Sequence, residues 1–103
     1  MKTPDILKVF GNYIFTGEYA FTYDVIPEVI RIIRDHNWII LGGDVLNREG
    51  KHTYDNWFYE PDPTKTLEYN VMLSIQETEQ YIGELEKKNG KVFQYVFVIT
   101  DQL

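Results

Sequence analysis

Residues 92–100 carry apolar or aromatic side chains at nearly every position, on both faces of the extended strand they would form. A strand apolar on two faces is stable only deep in a sheet, with strands on either side and cover above it. The rest of the chain must supply that cover. With 103 residues in all, there is room for one domain spanning 1–103 and not for two. A domain of this size buries only about two thirds of the surface its unfolded chain exposes, so the core has to be efficient. Aromatic residues make up 16% of the sequence, and most of them are needed for that purpose.

Helical periodicity appears twice. In residues 25–36, Ile26, Val29, Ile30 and Ile33 fall on one helical face, with Asp24 as the expected N-cap, Pro27 in the first turn and Asn37 closing the end. A second helix is expected over 75–89, opened by a capping box of Ser74 with Glu77 and stopped by Gly90. Its inward stripe is Val71, Ile75, Thr78, Ile82 and Leu85. Glu77 with Glu84, and Glu79 with Glu86, form two acidic ridges outside. Residues 6–15 suggest a short helix interrupted near Gly11.

Between the helices, residues 38–46 read as a strand in which Gly42 and Gly43 break the alternation, the mark of a bulge or a close backbone approach. Residues 47–51 are turn-like and 52–60 return as the second strand of a hairpin. A crossover from 52–60 through the second helix then brings 92–100 beside 38–46, antiparallel to it. The expected architecture is α+β, a two-layer sandwich in which a small mixed or antiparallel sheet carries helices packed on one face.

The absence of cysteine excludes disulfides, thiolate metal sites and thiol nucleophiles. No apolar run approaches the ~20 residues that span a bilayer, and Lys2, Pro4 and Asp5 near the start do not read as a signal peptide. A cytoplasmic location is therefore expected, with no membrane partner. Sixteen acids against ten bases give a net charge of -6, which argues against nucleic acid as a ligand. The charge is also uneven. Residues 52–86 hold eight acids and one base, Lys65, so the whole negative excess lies in one third of the chain. Such asymmetry steers a basic partner, or simply solvates one face.

Chemistry-bearing residues are sparse. Ser74 is the only serine and is accounted for as a cap; His36 sits at a helix end and His52 beside a turn. A two-residue turn at Glu49-Gly50 would set Asp44 opposite Asp55, where paired carboxylates could share a proton, hold a cation or receive an arginine. A slip of one residue would separate them. A small hydrolase or metal-dependent enzyme using Asp44, Asp55, Glu60 and His52 is the alternative reading, although no nucleotide-binding signature accompanies it. The densest segment is Asp55-Asn56-Trp57-Phe58-Tyr59-Glu60-Pro61. Alternation groups Asp55, Trp57 and Tyr59 on one face and Tyr54, Asn56, Phe58 and Glu60 on the other, so one mixed face stays accessible. Trp and Tyr beside charges are typical of interface anchors, and they equally complete small cores.

Leu41-Gly42-Gly43-Asp44-Val45, the run from Tyr54 to Pro61, and Tyr95-Val96-Phe97-Val98-Ile99 together resemble the immunity protein 40 family of bacterial polymorphic toxin systems. The resemblance covers residues 20–99. It implies a small cytoplasmic protein that binds and neutralises a cognate toxin domain, with no catalytic role. In that setting the expected partner surface comprises Asp44, Asp55, Asn56, Trp57, Tyr59, Glu60, Glu77 and Glu84, without cofactor or metal. A homodimer through Phe93, Tyr95 and Phe97 is the remaining possibility.

Overall fold

The computed structural model describes residues 3–14, 17–90 and 92–103. A four-residue helix, α1 (Asp5–Lys8), leads into two short strands, β1 (Asn12–Tyr13) and β2 (Tyr19–Thr22). A single 3-10 turn at Tyr23–Val25 precedes α2 (Ile26–Asp35), and β3 (Ile39–Leu46) and β4 (His52–Phe58) form the hairpin. The long α3 (Leu67–Asn89) and β5 (Gln94–Thr100) complete the chain. The strands lie in the order β1-β2-β5-β3-β4, and each neighbouring pair is antiparallel.

The α+β sandwich expected from the sequence is what forms, with β5 between β2 and β3 as its two apolar faces require. Phe21, Val45, Trp57, Tyr95, Phe97 and Ile99 meet α2 and α3 in one buried cluster. Tyr95 and Phe97 are thus covered by helices, and β5 pairs with β3 along its length and with β2 at Gln94 and Tyr95, so the buried rings of the last strand are closed to a second copy. A much smaller cluster of Ala20, Leu46 and Val96 lies on the opposite face. The expected helix over residues 6–15 shrinks to α1, because the chain turns after Gly11 into β1; Phe15 lies outside the described residues.

Two further differences have clear physical causes. Asp24 does not cap α2: it sits in the 3-10 turn and accepts a hydrogen bond from the Thr22 hydroxyl, while Pro27 occupies the first turn of the helix as expected. The second helix begins eight residues earlier than the Ser74–Glu77 pattern suggests. Its cap is Thr66, whose hydroxyl accepts from the Tyr69 amide at 3.0 Å. Ser74 is instead fully buried inside the helix, donating to the Val71 carbonyl at 2.9 Å and accepting from the Ile40 amide at 3.0 Å.

That last bond is tied to the glycine pair. The β3–β5 ladder slips between Ile40 and Gly42, so β3 is bulged there, and Ser74 takes up the Ile40 amide. Gly42 adopts φ +145°, and a Cβ on it would overlap the Trp57 carbonyl oxygen. A Cβ on Gly43 would meet the Val96 carbonyl on one side and the Trp57 indole on the other. The bare backbone at 43 is what lets the Trp57 ring lie down on the sheet.

Candidate functional site

Along β4, alternation sorts the rings. Trp57 and Tyr59 point under α3 and are each only 7% exposed. The Trp57 indole N–H donates to Thr78 Oγ1 at 3.0 Å and its ring stacks on Tyr81 at 5.2 Å between centroids. The Tyr59 hydroxyl donates to Asn70 Oδ1 at 2.6 Å, and the same Asn70 Nδ2 donates to the Asp62 and Thr66 carbonyls. Burial raises the Tyr59 and Tyr81 phenols above the usual tyrosine value. Trp57 and Tyr59 therefore have their polar ends satisfied inside the fold and are almost wholly covered.

The accessible set is the other one. Tyr54 is 90% exposed and Phe58 76%, with Asn56 and Glu60 exposed beside them. Between the β4 edge and α3 runs a groove of about 460 Å³ lined by Asn56, Trp57, Phe58, Glu77, Gln80, Tyr81 and Glu84. Glu77 and Glu84 stand on exposed positions of the helix, one on each side of Tyr81 in sequence, and the lining includes no basic side chain. The Asp55 carboxylate lies close enough to Tyr81 to contribute to the rise in its pKa, and Glu77 acts similarly on Tyr59. Asn56, Glu77 and Glu84, three of the residues singled out from the sequence, thus share one groove, with Asp55 close by.

The others are placed differently. The hairpin register sets Asp44 opposite Asn56, not Asp55, because residues 53–55 bulge out of β4 with Tyr54 at φ 70°. Thr53 ties the bulge down, its hydroxyl donating to the Val45 carbonyl and accepting from the Asp55 amide. The Asp44–Asp55 pair considered from the sequence therefore does not form. Asp44 lies half-buried on the sheet face away from the helices, in a shallow depression of about 250 Å³ shared with Gly42, Asn56, Phe58 and Val98. His52 pairs with Leu46 at the far end of the hairpin. Among the described residues, no three His, Asp or Glu side chains gather as metal ligands.

One acidic ridge is also corrected. Glu79 is exposed, but Glu86 is buried, accepting a 2.5 Å hydrogen bond from the Tyr95 hydroxyl. Burial, reinforced by that carboxylate, pushes the Tyr95 phenol far up. Phe58, Gln80 and Tyr81 are the groove-lining residues the sequence reading passed over. The alternation that set Phe58 on the face opposite Trp57 was the available signal for the first.

Fold and groove together describe a two-layer α+β domain whose acidic cleft runs beside the outer strand of its sheet. The chain belongs to the immunity protein 40 family, whose sequence profile matches residues 6–99, most of its length. No curated protein and no solved structure is detectably similar to it. No helix among the described residues is long and apolar enough to cross a membrane.

Proposed function

We infer that this immunity protein neutralises a cognate bacterial toxin domain by binding over a basic surface of it, with the β4–α3 groove as the contact. Family membership supports the toxin as partner. The observation that carries the location is the groove itself, where Glu77 and Glu84 line one wall and the strand edge at Asn56 and Phe58 the other, with the exposed Phe58 ring beside it and no base among the described lining residues. An exposed ring in an acidic setting supplies apolar contact area and charge selectivity together. Asp55 and Glu60 extend the negative field at the groove's ends, while Trp57 and Tyr59 contribute by holding β4 rigid from beneath. Inhibition proceeds by occlusion in the cell that makes the toxin, without catalysis by this chain.

The test is the association rate with the cognate toxin domain. Long-range attraction between exposed charges is screened over about 8 Å at physiological salt, so association should slow by roughly tenfold or more from low to physiological ionic strength. Glu77→Lys/Glu84→Lys should slow it likewise at low salt. A rate indifferent to both changes contradicts electrostatic steering at this groove.

A further inference from the structure

β4 is the last strand of the sheet, so among the described residues one of its edges has no strand beside it. Which backbone groups face that edge follows from the register. Tyr59 donates its amide to the Leu41 carbonyl at 2.8 Å, and Gly43 pairs with Trp57 in the same register. In an antiparallel ladder hydrogen-bonded pairs alternate, so residues 57 and 59 spend their N–H and C=O groups on β3, and 56 and 58 turn theirs outward. Asn56 and Phe58 thus present two donors and two acceptors along the open edge, at the mouth of the groove lined by Glu77, Gln80 and Glu84.

Proteins usually blunt such edges with bulges, charges or proline. Here those devices bracket the edge and leave its middle open. The bulge at residues 53–55 ends the ladder on one side, and Pro61 ends it on the other. Asp55 and Glu60, both exposed, flank the free stretch. A second copy pairing here about a two-fold axis would bring each acidic patch against its own equivalent. A cationic strand would meet no such repulsion.

We propose that the toxin contributes an extended, basic segment that adds as a sixth strand along β4, hydrogen-bonding to Asn56 and Phe58 and laying alternate side chains on Glu77 and Glu84. A strand about 4.8 Å beyond β4 has its side chains on alternating sides. One set enters the groove beneath α3, where lysine or arginine meets the two carboxylates. The other set lies against the Phe58 ring on the uncovered face. The backbone supplies affinity and the acids choose the sequence. This mode of binding rests on the proposed function and specifies it.

Hydrogen exchange tests it on the unmodified chain, free and bound to the cognate toxin domain. The Asn56 and Phe58 amides should exchange fast in the free protein and slow by about 100-fold in the complex. Phe58→Pro, which removes an outward N–H from an edge position, should weaken binding about tenfold beyond Phe58→Ala, which removes only the ring. A complex that forms while both amides still exchange freely, with the two variants equal, overturns strand addition and leaves the immunity reading standing. Concentration-dependent protection of the same amides without toxin would assign the edge to a second copy and overturn the proposal. A chain that captures no toxin domain overturns both readings.

Discussion

Trp57 and Phe58 are adjacent in one strand and alike in size and apolarity, yet one is 7% exposed and the other 76%. The difference lies in what the opposite element offers. Trp57 faces α3, where Thr78 accepts its indole proton and Gly43 leaves the floor bare for its ring. Phe58 faces away, across Gly42 from Val98, on the side of the sheet opposite α2 and α3. Ring chemistry alone does not separate a core anchor from a surface one. Strand parity and a waiting hydrogen-bond partner do.

The comparison is sharpest in stability. Trp57→Ala should cost about 3–5 kcal/mol in denaturant unfolding, since it empties the space between the sheet and α3 and strands the Thr78 hydroxyl. Phe58→Ala should stay within about 0.5 kcal/mol of the native protein while weakening toxin binding. Equal losses from the two would mean that the strand is not sorted as described. Next in size, Ser74→Ala should cost about 1–3 kcal/mol, because the Ile40 amide then loses its partner in a buried site. Restoring much of that stability with Ser74→Thr would show that the hydroxyl, and not the space it fills, is what matters.

Base titration probes the covered side more gently. The Tyr95 phenol is raised by burial first and by the Glu86 hydrogen bond second, so its folded pKa lies above the unfolded value near 10. Its contribution to stability is complete below about pH 10, and above that the unfolded chain ionises while the folded one resists. Unfolding free energy should then fall by about 1.4 kcal/mol per pH unit. Smallest of all, Glu77→Lys/Glu84→Lys should change the melting free energy by no more than about 0.5 kcal/mol, both side chains being exposed, and should act on association alone.

Much of this was readable from the chain. The doubly apolar β5, the stripe of α2, the glycine-marked bulge and the hairpin all follow from periodicity and turn chemistry. The start of α3 did not, and the cause is specific. Its inner stripe passes through Asn70, Ser74 and Thr78, three fully buried polar residues that break the apolar pattern over the first turns. Each is accounted for by a partner distant in sequence: Tyr59 for Asn70, Ile40 for Ser74 and Trp57 for Thr78. Ser74 and Glu77 matched a capping box by spacing, while the buried bond to Ile40 was invisible to any local reading. Glu86 was misplaced for a similar reason, since its partner Tyr95 lies on another element.

The site was legible in composition more than in detail. The acidic third of the chain and the exposed face of β4 were both visible, and Asn56, Glu77 and Glu84 do line one groove. The anchors were exchanged within the strand, because deciding between odd and even positions required knowing where α3 would lie. The Asp44–Asp55 register turned on the bulge at residues 53–55, which a five-residue connection with Tyr54 at positive φ produces and which simple hairpin counting misses.

The location of the binding surface is tested most directly by affinity for the toxin domain in two variants of equal charge change. Glu77→Lys/Glu84→Lys alters the groove, whereas Glu28→Lys/Asp35→Lys makes the same charge change on α2, at the half-exposed Glu28 and the exposed Asp35, outside it. The groove variant should raise Kd by about 100-fold and the α2 variant by less than about threefold, with both proteins folded. Equal losses from the two, or none from the groove, would contradict the account.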